Sequence, residues 1–385
     1  MIKLFQKLER VSLIDRLNRF TLLVSNDKGD IMKAYLPNSG SLEELLIPGR
    51  VILVTQNPGG GLPLRVAGTI DEDGNAIMID SLKINEIFPA IINNIPSLKG
   101  YSISQREVRY KNARFDFLLE KEGEKLILEI KGCTLFTQDV ASFPDAPTKR
   151  GVKHLKLLSD LQSDLKGGIL FLIQKPVKYF LPNFHTDLEF AREIFKAKDK
   201  ILIEAISLKW DEELNLIEDS ISKVEIPWEA TKPFLEDKGV YLILMFNEKD
   251  KQISFSRGLR EKSALFPRGF YIYTGSALKG LSSRIKRHIK KEGKNFWHID
   301  YIKRHMKTLK AITIKSPNKI ECEIANELMT IADSYILNFG SSDCNCKSHL
   351  LYFQKDPRKM DKFIKTILKF RFDIIKDIVE RTSQW

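Results

Sequence analysis

The hydrophobic pattern of this chain changes period several times, and each change marks a different kind of element. Residues 19–25, 31–37 and 50–56 are alternating or β-branched runs, separated by Asn26-Asp27-Lys28-Gly29, Asn38-Ser39-Gly40 and Pro48-Gly49. Strands at this spacing predict a small β-barrel over residues 1–81. Pro58-Gly59-Gly60-Gly61 has no Lys-Ser/Thr after it, so it predicts a hairpin tip rather than a phosphate-binding loop. From Leu82 the period becomes helical through Ile84, Ile87 and Ile91, with Pro89 inside and Pro96 closing it, which predicts a short or kinked helix. A strand at 101–110 follows. In residues 113–132, two apolar runs flank a charged, Gly-containing turn at 120–125, the signature of a β-hairpin. A basic helical stretch at 148–161 and an apolar, parallel-type strand at 168–175 complete the unit.

Residues 207–233 are acidic and end in prolines, as a domain boundary does. Beyond it, residues 239–246 and 268–277 predict strands, and a helix carrying Arg284, Arg287 and His288 follows. Arg284 and His288 are four apart and share a face. Residues 319–328 predict a further helix, and the tail from Pro357 places Phe363, Ile364, Ile367, Leu368, Ile374, Ile375 and Ile378 at helical spacing. The expected organisation is a barrel at 1–81, an α/β core at 82–225, a linker at 226–238, a second α/β domain at 239–353 and an amphipathic helical tail at 354–385. Packing of the tail onto the second domain is its plain reading, and a membrane-surface or homo-oligomer contact is the alternative.

A length of 385 residues exceeds one ordinary core, and 43% hydrophobic with 29% charged residues describes a folded chain. No run approaches the about 18 apolar residues a membrane span needs. Charges interrupt the first twenty residues, so no signal peptide is read and a cytoplasmic protein without a membrane partner is expected. The formal charge is +12, and its distribution is uneven. Residues 279–310 hold eleven Lys or Arg against two acids, interleaved with Phe296, Trp297 and Tyr301. Such a stretch suits a polyanion, DNA or RNA; the plain alternative is a solvated basic face. Four cysteines make no disulfide framework in a chain this long. Cys344, Cys346 and His349 have a hint of zinc-ligand spacing but lack a clear second pair.

The hairpin carries charges where apolar residues belong: Asp116 in its first strand, Glu129 and Lys131 in its second. Glu129 and Lys131 are two apart and share a face of the strand. Two acids and a lysine on neighbouring strands can hold a divalent cation and polarise a water. Arg16, Arg19 and Lys33 in the barrel, and Lys149 and Arg150 before the basic helix, are candidate phosphate contacts, with surface charge and helix capping by Thr148 as the alternatives.

The order helix, three strands, helix, strand, with Asp116 and Glu129-x-Lys131, resembles the PD-(D/E)XK nuclease core. The resemblance implies Asp116 and Glu129 as Mg²⁺ (or Mn²⁺) ligands, Lys131 as the water-orienting residue and Glu86 as a weaker helix candidate. The longer wording "AYLPNSG", "GYSISQREVRYKNARFDFLLE", "LEIKGCTL" and "FPDAPTKRGVKHLKLL" resembles the sugar fermentation stimulation protein A family over roughly residues 1–225. That resemblance implies an OB-like barrel, a PD-(D/E)XK-like core and association with DNA. Residues 239–353, with "FYIYTGSA", "WHIDYI" and "FGSSDCNCKSHL", resemble a GIY-YIG-related family. It implies Tyr241, Tyr273, Arg284 and His288 as catalytic residues and Glu323 as metal ligand with Glu321 competing. Lys286, Arg287, Lys290 and Lys291, within the basic stretch at 279–310, are the candidate nucleic-acid contacts there. The combined expectation is a Mg²⁺-dependent DNA nuclease with two sites; the alternative is a non-catalytic DNA-binding or regulatory protein built on nuclease scaffolds.

Overall fold

Alternation of apolar and polar residues curls the start of the chain into a closed barrel. In the computed structural model, which describes residues 1–162, 164–257, 260–292 and 294–382, the strands are β1 (Glu9–Asn18), β2 (Thr21–Ser25), β3 (Ile31–Tyr35), β4 (Val51–Gln56), β5 (Leu64–Ile70) and the short β6 (Ala76–Met78). β1 pairs with both β2 and β4, and a parallel contact between β3 and β5 at Ala34 and Leu64 closes the ring. This is the connectivity of an OB-type barrel. Leu22, Val24, Ala34, Ile52, Val54 and Val66 fill it without solvent exposure. β1 is absent from the sequence reading because charges interrupt it and a register shift after Leu13 breaks its alternation, although Val11 and Leu13 are buried. The glycine-rich stretch joins β4 to β5, and the Asn57 N–H donates to the Pro63 carbonyl across its neck at 3.0 Å.

Next come α1 (Ile84–Ile91, with Pro89 inside), β7 (Ser102–Tyr110), β8 (Ala113–Lys121), β9 (Glu124–Cys133), the short β10 (Leu135–Phe136) and β11 (Val140–Phe143), and α2 (Lys149–Ser159). The β8–β9 hairpin turns on Glu122 and Gly123, both at positive φ (49° and 85°), the mirror-image turn whose twist matches paired strands. The Thr148 hydroxyl caps α2 by accepting from the Gly151 N–H at 3.0 Å, the alternative the sequence offers for this segment. β12 (Leu165–Ile173), β13 (Tyr179–Pro182), α3 (Leu188–Ala197), β14 (Leu202–Ser207) and β15 (Ser222–Lys223) follow. The sheet order is β15-β14-β12-β9-β8-β7, antiparallel from β7 to β9 and parallel from β9 to β14. The acidic segment after β14 is less of a linker than its composition predicts, because Leu208, Trp210, Leu214, Leu216 and Val224 are buried. The compact unit accordingly takes in Met1–Glu229, together with residues 378–382 from the end of the tail.

One turn, α4 (Trp228–Thr231), leads into the second unit, Ala230–Asp377. Its sheet places β16 (Gly239–Asn247) between β19 (Gly269–Ala277) and β20 (Lys307–Lys315), with β22 (Leu350–Phe353) and the short β21 (Ser334–Tyr335) on the far side of β19. The long interval between the two tyrosine strands is occupied by a hairpin of β17 (Lys251–Arg257) and β18 (Arg260–Phe266). α5 (Leu281–Ile289) and α7 (Glu321–Met329) cover the sheet, and α6 (His298–Ile302) packs against β17 of the hairpin. In the tail, α8 (Asp361–Leu368) and the wider turn after it bury Phe363, Ile367, Phe370 and Phe372, and the Arg371 Nε donates to the Thr313 carbonyl at 3.0 Å. The tail's apolar stripe is therefore core packing. Among the described residues no helix is long and apolar enough to cross a membrane.

Candidate functional site

Asp116, Glu129 and Lys131 line one solvent-open cleft of about 480 Å³. The β8–β9 ladder ends at Phe117 and Leu128. One step on, the Asp116 carboxylate replaces a backbone carbonyl: its Oδ2 accepts the Ile130 N–H at 2.7 Å and its Oδ1 accepts from Asn85 Nδ2 at 2.8 Å. Burial, then the charge of Glu129, raises the Asp116 pKa above the usual carboxylate range, against the pull of the Ile130 N–H and Lys131. Glu129 is 1% exposed. Burial opposes its ionisation too, but His154 and Lys131 outweigh it and its pKa is lowered. The Lys131 amine pairs with Glu129 Oε1. His154 Nδ1 lies 2.9 Å from the same oxygen but off the line of a hydrogen bond, so that contact is electrostatic. Glu129 Oε2 is buried and accepts no hydrogen bond. Two hard oxygen donors, one with an unused oxygen, fit a divalent cation such as Mg²⁺.

The structure alters several residue assignments around this cleft. Glu86 is exposed and pairs with Lys83 at 2.7 Å, so the polar side chain that α1 sends into the cleft is Asn85, which the sequence reading overlooks. Arg16 is spent on backbone carbonyls of Ser41, Gly40 and Arg19, which makes it an anchor of the loop after β3. Arg19 and Arg150 are exposed and line the cleft. Lys33 and Lys149 are exposed and lie outside its lining. Arg150 Nε donates to His154 Nε2 at 3.4 Å, linking the cleft mouth to the residue behind Glu129.

In the second unit Tyr241, Tyr273, Arg284 and Glu321 line a separate cleft of about 580 Å³. Tyr241 on β16 and Tyr273 on β19 have ring centroids 6.3 Å apart. Burial pushes both phenols above their ordinary pKa, with Arg284 opposing. Gly275 is required beside them, because a Cβ there would come within 2.5 Å of Tyr241 Oη. The Arg284 guanidinium rests over the Trp297 ring, 4.8 Å from its centroid. Glu323 is exposed and outside the cleft lining, whereas Glu321 is 6% exposed and within it. Residues two positions apart on a helix differ by about 200° in direction, so only one of the pair can face the tyrosines. His288 is also displaced from its expected role. It is fully buried beneath the cleft, stacked on Tyr241 at 5.5 Å, and its Nδ1 stands 3.6 Å from Asp300 Oδ1. Asp300 accepts the Trp297 and Phe296 N–H groups and pairs with Lys303 and Arg287, a structural hub at the start of α6. Lys286, Arg287, Lys290 and Lys291 are exposed along and just after α5, with the 71% exposed Phe296 nearby at 5.7 Å from Arg287.

A closed OB-type barrel, a nuclease-like α/β core and a GIY-YIG-related domain therefore define the class of protein. Residues 14–79 match the SfsA N-terminal OB domain, residues 83–214 the sugar fermentation stimulation protein RE domain and residues 240–372 the domain of unknown function DUF123. The chain is 40% identical to a sugar fermentation stimulation protein homolog from Clostridium tetani, over 50% of this chain and 86% of that protein. It is 30% identical to the homolog from Methanothermobacter thermautotrophicus, over 58% of this chain and 95% of that one. The structure of Pyrococcus furiosus SfsA in complex with Ca²⁺ superposes with a TM-score of 0.53 at 29% identity, covering 58% of this chain and 96% of that one. The chain belongs to the sugar fermentation stimulation protein family and carries a further GIY-YIG-related domain.

Proposed function

We propose that this protein is a divalent-metal-dependent DNA nuclease that hydrolyses phosphodiester bonds, with two nuclease-like sites. The observation that carries the reading is the meeting of Asp116, Glu129 and Lys131 in one cleft, with Glu129 Oε2 left without a donor. A pure DNA binder gains nothing from placing two acids against a polyanion. Asp116 and Glu129 would hold Mg²⁺ or Mn²⁺, and the related Pyrococcus protein was solved with Ca²⁺, another cation that prefers oxygen ligands. Bound there, the metal would supply an activated water and charge neutralisation at the phosphate. Lys131 keeps its amine at the cleft, placed to orient that water, while Arg19 and Arg150 neutralise the flanking phosphates. At the second site Glu321 would hold the metal, with the two phenols placed to relay protons and Arg284 placed to meet the charge that grows on the phosphate. The basic face of α5, with exposed Phe296 available for stacking, is the DNA grip beside it.

One observation favours the non-catalytic reading for the first site. Both Asp116 oxygens and Glu129 Oε1 already have protein partners, as a scaffold retained for phosphate recognition would. The deciding experiment incubates wild type, Asp116→Ala and Tyr241→Phe/Glu321→Ala with plasmid, single-stranded and branched DNA and with RNA, in Mg²⁺ or Mn²⁺. Cleavage is expected from wild type, with each variant losing one component by about 10²–10³-fold, the usual cost of deleting a group that stabilises the transition state. Tight DNA binding by all three without cutting would leave the DNA-binding reading in its place. Preference for RNA would move the substrate class.

A further inference from the structure

We propose that the second unit carries a structural zinc site formed by Cys322, Cys344, Cys346 and His349. One ligand atom from each residue lies within 4.8 Å of the other three. His349 Nε2 stands 3.4 Å from Cys344 Sγ and 3.8 Å from Cys322 Sγ. Zn–S bonds of ~2.3 Å and Zn–N bonds of ~2.0–2.1 Å at the tetrahedral angle put S and N about 3.6 Å apart, so both separations suit edges of a zinc tetrahedron. Thiolates with one imidazole are the donors zinc takes in preference to Mg²⁺ or Ca²⁺. All four cysteines of the chain are free thiols, so no disulfide competes for these sulfurs.

The topology explains why the site assembles. Cys322 opens α7, while Cys344, Cys346 and His349 belong to the irregular segment before β22. That segment is pinned at both ends of the cluster: the Gly340 N–H donates to His298 Nδ1 at 2.8 Å, and the Thr274 N–H donates to the His349 carbonyl at 2.9 Å. His349 is 3% exposed, and the three cysteines are half-buried. Four protein ligands close the tetrahedron, which is the arrangement of a structural rather than a catalytic zinc. The metal's work is to clamp the segment before β22 to the start of α7. Glu321, immediately before Cys322, is thereby held in the tyrosine cleft. The site is independent of whether either cleft cuts DNA.

The full chain purified without chelator should carry about one zinc per molecule by elemental analysis, as a closed four-ligand site takes a single ion. Cys344→Ser and Cys322→Ser should lose it, and Asp116→Ala and Glu321→Gln should keep it. Co²⁺ added to the metal-stripped wild type should give the intense visible bands of a tetrahedral thiolate site, a readout that needs no variant to fold. The thiols should then resist a disulfide reagent until a chelator is added. Zinc content unchanged in the cysteine variants, or thiols equally reactive with and without Zn²⁺ and no tetrahedral Co²⁺ spectrum, would overturn the assignment.

Discussion

Replacing Asp116 with Asn should make the first unit more stable without a cation and less stable with one. In the wild type, Asp116 and Glu129 face each other as like charges across neighbouring strands, and the Asp116 pKa is raised by burial and by Glu129. Carboxylates about 5 Å apart, the spacing of opposed strand residues, repel by about 3 kcal/mol at an effective dielectric of 20. The Lys131 amine on Glu129 offsets most of this, leaving on the order of 1 kcal/mol. The amide that Asp116→Asn introduces can keep both native hydrogen bonds, its oxygen accepting from Ile130 and its nitrogen donating to Asn85, whose own amide need only flip. The relief therefore comes without an orphaned donor. In a unit of this size about 1 kcal/mol moves the midpoint by about 2–4 °C. A cation bound only by the folded state adds about 2.7 kcal/mol at a hundred times its Kd, or about 5–11 °C. Thermal melts in EDTA and in saturating Ca²⁺, which reports binding without relying on cleavage, should thus cross: the Asn variant melts higher in EDTA, the wild type higher in Ca²⁺. An Asn variant that melts lower in EDTA yet gains as much from Ca²⁺ as wild type would refute both the repulsion and the ligand role.

Glu321→Gln should abolish cutting by the second cleft, measured in an Asp116→Ala background on branched DNA, while Glu323→Gln stays within about twofold, since exposed substitutions change little. Gly275→Ala should destabilise the second unit by about 1–3 kcal/mol in a denaturant melt, because its methyl would meet Tyr241 Oη, and an unchanged midpoint would show the contact to be soft. Burial above all, with Lys303, Arg284 and Arg287 adding and Asp300 opposing, holds the His288 pKa at about 4, below its ordinary 6.5. The unfolded chain then takes up that proton first, so stability is full above about pH 6.5 and falls by up to about 3 kcal/mol as pH drops towards 4. His288→Phe, which keeps a ring against Tyr241, should remove that part of the slope in melts between pH 7 and 4, and an unaltered slope would place the titration elsewhere.

Much of the first cleft was readable because strands advertise misplaced charge. Asp116, Glu129 and Lys131 interrupt two otherwise apolar runs, and the turn between their strands places Gly123 at positive φ. Asn85 was not readable in the same way. It and Glu86 are adjacent on α1, about 100° apart, and which one enters the cleft depends on how Ile84 packs against Gly132, a tertiary fact. The two misplacements in the second cleft are of another kind, since the pattern did contain the answer. Ile324, Ala325 and Leu328 are buried, and Glu321 stands three, four and seven positions before them, which puts it on the inner face of α7 and Glu323 outside. Leu281, Ile285 and His288 likewise mark the inner stripe of α5, with Arg284 at its edge. Family wording pointed to the glutamate that lies outside the cleft lining, where helical periodicity pointed to the one within it.

Cys322 shows where such reading stops. Its partners lie more than twenty residues away, on a segment with no periodicity, and nothing in the spacing singles it out from an ordinary half-buried thiol on a helix. What joins them is the sheet: β22 pairs with β19 from Tyr273 to Phe270, and this fixes where the segment before it must pass. That passage brings His349 beside Cys322 at the start of α7, the helix that also contributes Glu321 to the tyrosine cleft. The same strand pairing thus sets the positions of a phenol, a carboxylate and the proposed zinc ligands. A disturbance of the thiolate cluster should therefore be felt first at Glu321 rather than at Tyr241, whose place is held by β16 between β19 and β20.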